Sequence, residues 1–322
     1  MEVFDNKITT HPIVVILPVY NGIKYLELAV QSVLQQQFSL FEFLIIDDCS
    51  TDGSWEYLQS VKDIRVTLYR NTNNKGLFYN LNFLIEKSTS SLIKLWSQDD
   101  IMHLDCIQEV VLFHELHPFI GFSYTDREYI DASGIKIPNN RIDNTPSIIS
   151  KDLHTRIACI TGSIAGNIAN VTIAKAALDK VGLFNEEMKI SGDFDMWVRI
   201  AREFTIGFIK KPLIQLRNHK GQLSNRENLL IYHVMEDISV YRYLFSYLDK
   251  AQKAEGMKLL RNQKLLFYYT LMLKAFFRGR FITGSKFFNS LFKFDNFFIL
   301  TWFYAKKHIL KISEVTKPGA AL

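Results

Sequence analysis

The sequence predicts an α/β fold, a mostly parallel sheet flanked by helices, with a helical extension at the C-terminal end. Three observations carry that expectation. Short apolar, β-branched runs alternate with segments of helical periodicity through the first half of the chain. Acidic and small polar residues gather directly after those runs, where the sheet of an α/β protein opens to ligands. Beyond residue 225 the chain reads as helix almost to its end and turns basic and aromatic. A boundary is therefore expected between residues 224 and 225, with the chemistry in 1–224 and a separate helical region in 225–322. At 322 residues and 48% hydrophobic, the chain can bury a full core.

The elements follow in order. Ile13, Val14, Val15, Ile16 and Leu17 form a run stopped by Pro18, which has no N–H to donate, and residues 23–36 then place Leu26, Val30, Val33 and Leu34 at helical spacing. The unit recurs. Residues 43–46 precede a turn at Asp52-Gly53 and a short helix near 54–60; 64–69 precede a helix near 77–85; 92–96 precede a helix over 103–116. After Pro118 the pattern loosens into a strand at 120–125, a hairpin around Asp131-Ala132-Ser133-Gly134, and a polar stretch at 138–146 where an acceptor-facing segment could be inserted. Regular structure resumes with a helix near 148–160, a strand near 168–173, a helix over 193–202 and a strand near 205–209. There is no internal repeat and no low-complexity tract.

Composition excludes several classes. Cys49, Cys106 and Cys159 are odd in number and far apart, with no CxxC spacing, so neither a disulfide framework nor a zinc site is suggested and a reducing compartment is expected. Residues 1–11 carry Glu2, Asp5 and Lys7 and lack the basic-then-apolar order of a secretory signal, so the catalytic part is expected in the cytoplasm. No stretch reaches the roughly 18 to 20 uncharged apolar residues that a bilayer span needs. Charge divides unevenly: residues 251–322 hold 13 Lys and Arg against 3 Asp and Glu, leaving 25 against 30 over 1–250.

The chemistry is concentrated in four clusters at the ends of expected strands: Pro18-Val19-Tyr20-Asn21, Asp47-Asp48 with the following Ser, Thr and Asp residues, Gln98-Asp99-Asp100, and Asp193-Phe194-Asp195-Met196-Trp197. Two carboxylates after a buried strand are costly unless something positive sits against them, and a divalent metal carrying a diphosphate is a common partner in an α/β protein. In this order, with the third cluster about 50 residues after the second and the fourth about 95 after the third, the set resembles the family-two glycosyltransferases over residues 11–224.

The resemblance implies the GT-A fold, a nucleotide-activated sugar donor, an inverting transfer and a set of roles. Pro18, Tyr20 and Asn21 correspond to the first nucleotide-contacting loop, where an aromatic can flank a base; alone they read as a plain strand-ending turn. Asp47 and Asp48 correspond to the acids that recognise base and ribose, although Asp, Ser and Thr in this order also make a turn and a helix cap. Asn74-Lys75-Gly76 resembles a segment passing near the nucleotide; the Arg that often follows five residues later is Leu81 here, and Lys75 is the remaining local cation. Asp99 and Asp100 take the positions of the DxD-like motif, Asp100 binding Mg²⁺ or Mn²⁺ and Asp99 serving ribose or a metal-bound water; the plainer reading of Asp100 is a helix cap. Asp193 corresponds to the catalytic base, its plainer reading being an N-cap, and Gly192 stands where a supporting Glu often precedes it. His219, in Arg217-Asn218-His219-Lys220, corresponds to a segment that completes the metal shell or contacts the diphosphate.

In the tail, Phe267, Phe276, Phe277, Phe281, Phe287, Phe288, Phe292, Phe297, Phe298 and Phe303 are interleaved with Lys and Arg from Lys264 to Lys311. Such helices suit the interface of an anionic membrane, which places the protein peripherally on the inner face of the cell membrane; packing into a core of its own or a dimer seam is the alternative. Nothing resembles a nucleic-acid module. The expected partners are a nucleoside-diphosphate sugar, a UDP-sugar foremost, and a glycan or lipid-linked acceptor of surface polysaccharide synthesis. A noncatalytic sugar-nucleotide-binding or scaffolding protein of the same fold is the second hypothesis, distinguished by the absence of metal-dependent donor hydrolysis. A nucleotidyltransferase is weakened by the lack of a Gly-rich phosphate loop after the first strand.

Overall fold

The structure, a computed structural model, describes residues 11–139, 143–219, 221–222 and 229–310. Residues 1–10 of the N-terminal reading, 140–142 of the polar stretch, Lys220 of the basic segment and Lys311 of the tail lie outside the described residues.

In chain order the elements are β1 (Ile13–Val19), α1 (Ile23–Leu34), β2 (Phe41–Asp47), α2 (Ser54–Ser60), β3 (Val66–Arg70), α3 (Leu77–Lys87), β4 (Leu92–Leu95), β5 (Ile101–Met102), α4 (Cys106–Leu116), β6 (Ile120–Ile130), β7 (Lys136–Ile137), β8 (Ile148–Ile149), α5 (Lys151–Thr161), β9 (Val171–Ala174), α6 (Lys175–Val181), α7 (Gly192–Glu203), β10 (Thr205–Arg217), α8 (Leu230–Ser246), α9 (Lys250–Leu260), α10 (Leu266–Phe277), α11 (Phe281–Phe292) and α12 (Phe297–His308). A π-helical turn, Arg261–Leu265, joins α9 to α10.

The chain divides into two compact units. The first holds the described residues up to Asn139 together with Ile168–Leu183 and Ile209–Arg217. Its strands run in the order β3-β2-β1-β4-β9-β6-β10-β5, with β7 beside β6. The first four are parallel: Ile13 pairs with Phe41 on one side and Leu92 on the other, and Phe43 pairs with Val66. Residues 13–17 are fully buried, as expected of a central parallel strand covered on both faces. Beyond β4 the sheet turns antiparallel, so it is mixed rather than parallel for most of its width. This register brings the ends of β1, β2 and β4 to one edge, and the short β5–β10 ladder, Met102 to Ile214 and Ile101 to Gln215, carries Arg217 to the same edge.

The second unit holds the described residues of 140–167, Phe184–Phe208 and 218–322. Where the sequence suggested one break at residue 224, the units interleave. The physical reason is the core that Ala158 and Cys159 of α5 and Phe194 and Val198 of α7 share with Tyr241, Leu266, Tyr268, Phe287, Leu291 and Leu300 of the C-terminal helices. Those helices thus bury one row of aromatic side chains among themselves while leaving another row, Phe277, Phe281, Phe298 and Trp302 included, exposed. Among the described residues no helix is long and apolar enough to cross a membrane. The helix expected from 148 begins at Lys151, because Ile148 and Ile149 pair with Gly207 and Ile206 and the Ser150 hydroxyl caps α5 by accepting from the Leu153 amide.

Candidate functional site

At the carboxyl edge of the first unit, the loop after β1 is tied to its neighbours through side chains. The Gln98 amide clamps the backbone of Tyr20: its Oε1 accepts from the Tyr20 N–H (2.9 Å) and its Nε2 donates to the Tyr20 carbonyl (3.2 Å). A Cβ on Gly22 would stand 2.4 Å from that amide, so a larger residue there would push the Gln98 side chain off Tyr20. Asn21, with φ 49, donates its backbone N–H to Ser50 Oγ and accepts the Thr51 N–H on its own Oδ1, both at 2.9 Å. The Tyr20 ring remains exposed. Asp52 joins two helices, accepting from Ile23 N at the start of α1 and from Ser54 N and Oγ at the start of α2.

Asp47 and Asp48 end β2, both buried, but their bonding differs. Asp47 Oδ2 accepts from Ser50 N (3.1 Å) and faces Arg70 Nε (3.2 Å), while its Oδ1 is buried without a hydrogen-bond partner. Asp48 takes three donors: Oδ1 accepts from Asn71 Nδ2 (2.7 Å) and Lys75 N (2.8 Å), and Oδ2 from Gly76 N (2.9 Å). Asp48 therefore sets the backbone of the Asn74-Lys75-Gly76 segment, whose turn runs through Gly76 at φ 91. The Lys75 ammonium lies over the Tyr79 ring, and Leu81 is wholly buried in the core.

The turn after β4 holds Asp99 and Asp100. The Ser97 hydroxyl donates to Asp99 Oδ1. Asp100 does not cap the following helix; its Oδ1 accepts the backbone N–H of Arg217 (2.8 Å), and its Oδ2 is buried with no hydrogen-bond partner. Arg217 also donates through Nε to the Asp99 carbonyl (2.9 Å) and through Nη1 to the Asp131 carbonyl (3.2 Å), with its guanidinium over the Tyr25 ring. Burial first, and the neighbouring Asp99 second, push the Asp100 carboxyl well above the usual carboxylate range despite the Arg217 amide. A buried carboxylate oxygen lacking a donor is satisfied by a proton or a cation. Hard divalent ions take carboxylate oxygens, and Mg²⁺ is usually held by one or two of them together with substrate phosphates and water. The residues of this turn fit such an ion, although among the described residues no group of three or more His, Cys, Asp or Glu side chains is placed to hold one unaided.

In the second unit Asp193 lies in the first turn of α7, where the helix dipole favours a carboxylate. It is not the N-cap; that place belongs to Ser191, whose hydroxyl donates instead to Asp237 Oδ1 (2.6 Å). Asp193 Oδ2 accepts from Ser163 Oγ (3.3 Å). Burial, reinforced by Asp237, pushes its carboxyl up to about 6, against the opposing pull of the Phe194 amide, Ser163 and His233. Asp195, not Asp193, pairs with Arg199 one turn on (2.8 Å). Trp197 packs edge to face on Phe184. His219 belongs to this unit, and its Nδ1 accepts the Gly221 N–H (3.2 Å).

The sequence model of Glycosyl transferase family 2 matches residues 14–169. A Bacillus subtilis (strain 168) protein provisionally named the teichuronic acid biosynthesis glycosyltransferase TuaG is 30% identical over 257 residues, which is 76% of this chain and 96% of its own. The chain belongs to glycosyltransferase family 2. An uncharacterised glycosyltransferase of Rickettsia felis is 28% identical over 214 residues, 66% of this chain; the chain spans about a third (35%) of that relative's length. Among solved structures, S. aureus TarS 1–349 in complex with UDP-GlcNAc shares the fold with a TM-score of 0.70 at 19% identity, over 88% of this chain and 80% of that one. The mannosyltransferase PcManGT of Pyrobaculum calidifontis, in complex with GDP-Man and Mn²⁺, does so at 0.59 and 14% identity, over 95% and 81%. These likenesses establish the GT-A fold.

For this family-two glycosyltransferase, the sequence reading passed over the residues that hold the acids. Asn71, Asn80 and Gln98 bond the loops of the first unit, and Asn80, which with Asn82 is a buried amide among the apolar residues of α3, was the detectable signal. Lys94, fully buried in β4, donates to the Ala169 and Val171 carbonyls, and burial pulls its ammonium down to about 8; a lysine inside an apolar strand run marks it. Glu236 and Asp237 carried no signal, since two acids on a helix ordinarily read as a solvated face.

Proposed function

We propose that this chain is an inverting glycosyltransferase that moves a sugar from a nucleoside-diphosphate sugar, a UDP-sugar foremost, to a hydroxyl of a glycan or lipid-linked acceptor in surface-polysaccharide synthesis. The observation that carries it is Asp100 Oδ2, a buried carboxylate oxygen without a donor at the carboxyl edge of the sheet. The UDP-GlcNAc in the TarS structure and the teichuronic acid name of the Bacillus relative support the choice of donor and acceptor class.

Asp100, with Asp99 beside it, would hold Mg²⁺ or Mn²⁺. Such an ion, when bound, supplies Lewis-acid stabilisation of the charge that builds on the leaving diphosphate. Tyr20 flanks the base; Asp47 offers its unpartnered Oδ1 to base or ribose; Asp48 shapes the loop that presents Lys75. Asp193 takes the proton from the acceptor hydroxyl as its oxygen attacks the anomeric carbon. The bond to the diphosphate breaks as the new one forms, which inverts the centre. A carboxyl near pKa 6 is mostly ionised at neutral pH yet basic enough for that task. His219 would offer a ring nitrogen to such an ion or to the diphosphate. The exposed aromatic row of α10 to α12, with its lysines, holds the protein peripherally at the cytoplasmic membrane face.

The test is a thermal-shift series with UDP-sugars, with and without Mn²⁺, on wild type and Asp100→Asn. Mn²⁺-dependent stabilisation by nucleotide in the wild type and its loss in the variant are expected, because a ligand bound only to the native state raises apparent stability. Equal Mn²⁺ dependence in both proteins would remove Asp100 from the metal site.

A further inference from the structure

We propose that a groove in the second unit, between α8 and α11, binds a phosphate group. The open groove offers about 330 Å³; beside the apolar Met235 and Ile238 it is lined by Ser239 and Arg242 of α8 and by Lys286, Asn289, Ser290 and Lys293 of α11 and its C-cap. On α11 the spacing of these four positions places them on one helix face. The volume corresponds to about ten water molecules of liquid, ample for a tetrahedral anion and its hydration.

The groove gathers three cations with no acid beside them. Among the described residues Arg242, Lys286 and Lys293 make no ion pair, unlike Arg261, which pairs with Asp295 at 2.6 Å, and Arg156, which pairs with Glu255 at 3.4 Å. No acid is near at hand on either element. α11 contains none, and the acids of α8 are engaged: Glu236 accepts from the amides of residues 189–191, and Asp237 accepts from Ser191 and Tyr268. The helix dipole accounts for a lysine at the C-terminal end of α11, but not for Lys286 in its middle or for Arg242. Like charges gathered in one groove repel unless an anion joins them.

Phosphate matches the donors better than a carboxylate does. An arginine fork and two ammonium groups supply charge-assisted bonds, and the two hydroxyls and the Asn289 amide supply neutral donors to the remaining oxygens. A carboxylate has only two oxygens to offer. The phosphate can be carried by a lipid headgroup or be free in solution; the chemistry is the same, and the assignment does not depend on the glycosyl-transfer reading.

The full chain, kept in EDTA so that no divalent ion assists phosphate binding elsewhere, is sedimented with phosphatidylcholine vesicles with and without phosphatidic acid, and is titrated with inorganic phosphate by calorimetry. Arg242→Gln/Lys286→Gln/Lys293→Gln is compared with a control of equal charge, Lys250→Gln/Lys253→Gln/Lys274→Gln, and with the single Lys286→Glu; circular dichroism checks the fold of each. The groove variant should lose about a hundredfold in affinity for the phosphate-bearing partner, from roughly a fivefold loss per cation, while the control stays near wild type. Tight binding of phosphatidic acid vesicles with weak binding of free phosphate assigns the site to a headgroup; comparable binding of both assigns it to soluble phosphate. Wild-type binding by the groove variant and by Lys286→Glu overturns the proposal, and so does an equal loss in the control.

Discussion

Glu236 of α8 accepts a hydrogen bond from the backbone N–H of Ser191 at 2.9 Å, and the same carboxylate takes the N–H groups of Lys189 and Ile190. A side chain of the C-terminal helices therefore fixes the backbone two residues ahead of Asp193. Asp237, the next residue, draws the Ser191 hydroxyl and is itself held by Tyr268 and by His233 at 3.2 Å, and these contacts keep its carboxyl below the usual range even though burial pushes the other way. The helical region is thus part of the framework around the proposed base.

Removing the clamp should be visible before any assay of sugar transfer. Glu236→Ala leaves backbone donors of residues 189–191 without their charged acceptor, which should cost about 1–3 kcal/mol of stability in urea unfolding. Hydrogen exchange of the same amides should accelerate, while the amides of Lys75 and Gly76, held by Asp48, keep their protection. Unchanged protection at 189–191 would show that the loop holds itself.

Asp193→Asn separates proton transfer from helix geometry, because Asn at this position keeps the hydrogen-bonding shape but cannot take a proton. Turnover should fall by about 10²–10⁴-fold with donor affinity retained. The wild type should lose activity as pH drops through about 6, where burial has placed the carboxyl, and the variant should lack that limb. The stability sign is fixed by the same shift. The folded pKa of Asp193 is raised above its unfolded value, so its contribution is fully present below about pH 4 and is lost as pH rises through about 6. Asp193→Asn should therefore melt above the wild type at pH 8, with the gap closing toward pH 4.

Much of the first unit was legible because its strands are short apolar runs with Asp47, Asp48, Asp99 and Asp100 at or just past their ends, although β1 continues through Pro18 to Val19 rather than stopping there, and Asp193, also expected at a strand end, lies in the first turn of α7. The sequence hid what depends on long-range pairing. The strand read over 205–209 continues to Arg217, through an exposed stretch that includes Pro212, a residue with no N–H for a ladder; its place between β6 and β5, with Ile214 and Gln215 paired to β5, recovers the strand. That extension delivers Arg217, which the sequence shows only as a neighbour of His219, to Asp100, and makes it the partner of both Asp99 and Asp100. Asp48 adds a contact that the sequence does not show. Its carboxylate accepts from Asn71, Lys75 and Gly76 in the folded loop, pairings that join residues 23 to 28 positions apart.

The aromatic tail resolves into two rows, and the division makes its own prediction. Phe287 is 2% exposed inside the helical core, while Phe277 is 88%, Phe298 79% and Trp302 59% exposed. Truncating the tail would open the core that α5 and α7 share with it, so surface substitutions are the informative change. Phe277→Ser/Phe298→Ser/Trp302→Ser removes apolar surface that water already reaches and should leave the melting temperature within a few degrees of wild type. If this row enters a lipid interface, the triple variant should sediment with phosphatidylcholine vesicles at least about tenfold more weakly, since each large side chain buried there is worth about 1.5–3 kcal/mol at full burial. Vesicle binding equal to wild type, with a changed sedimentation coefficient in the absence of lipid, would instead assign the row to a seam between copies of the chain.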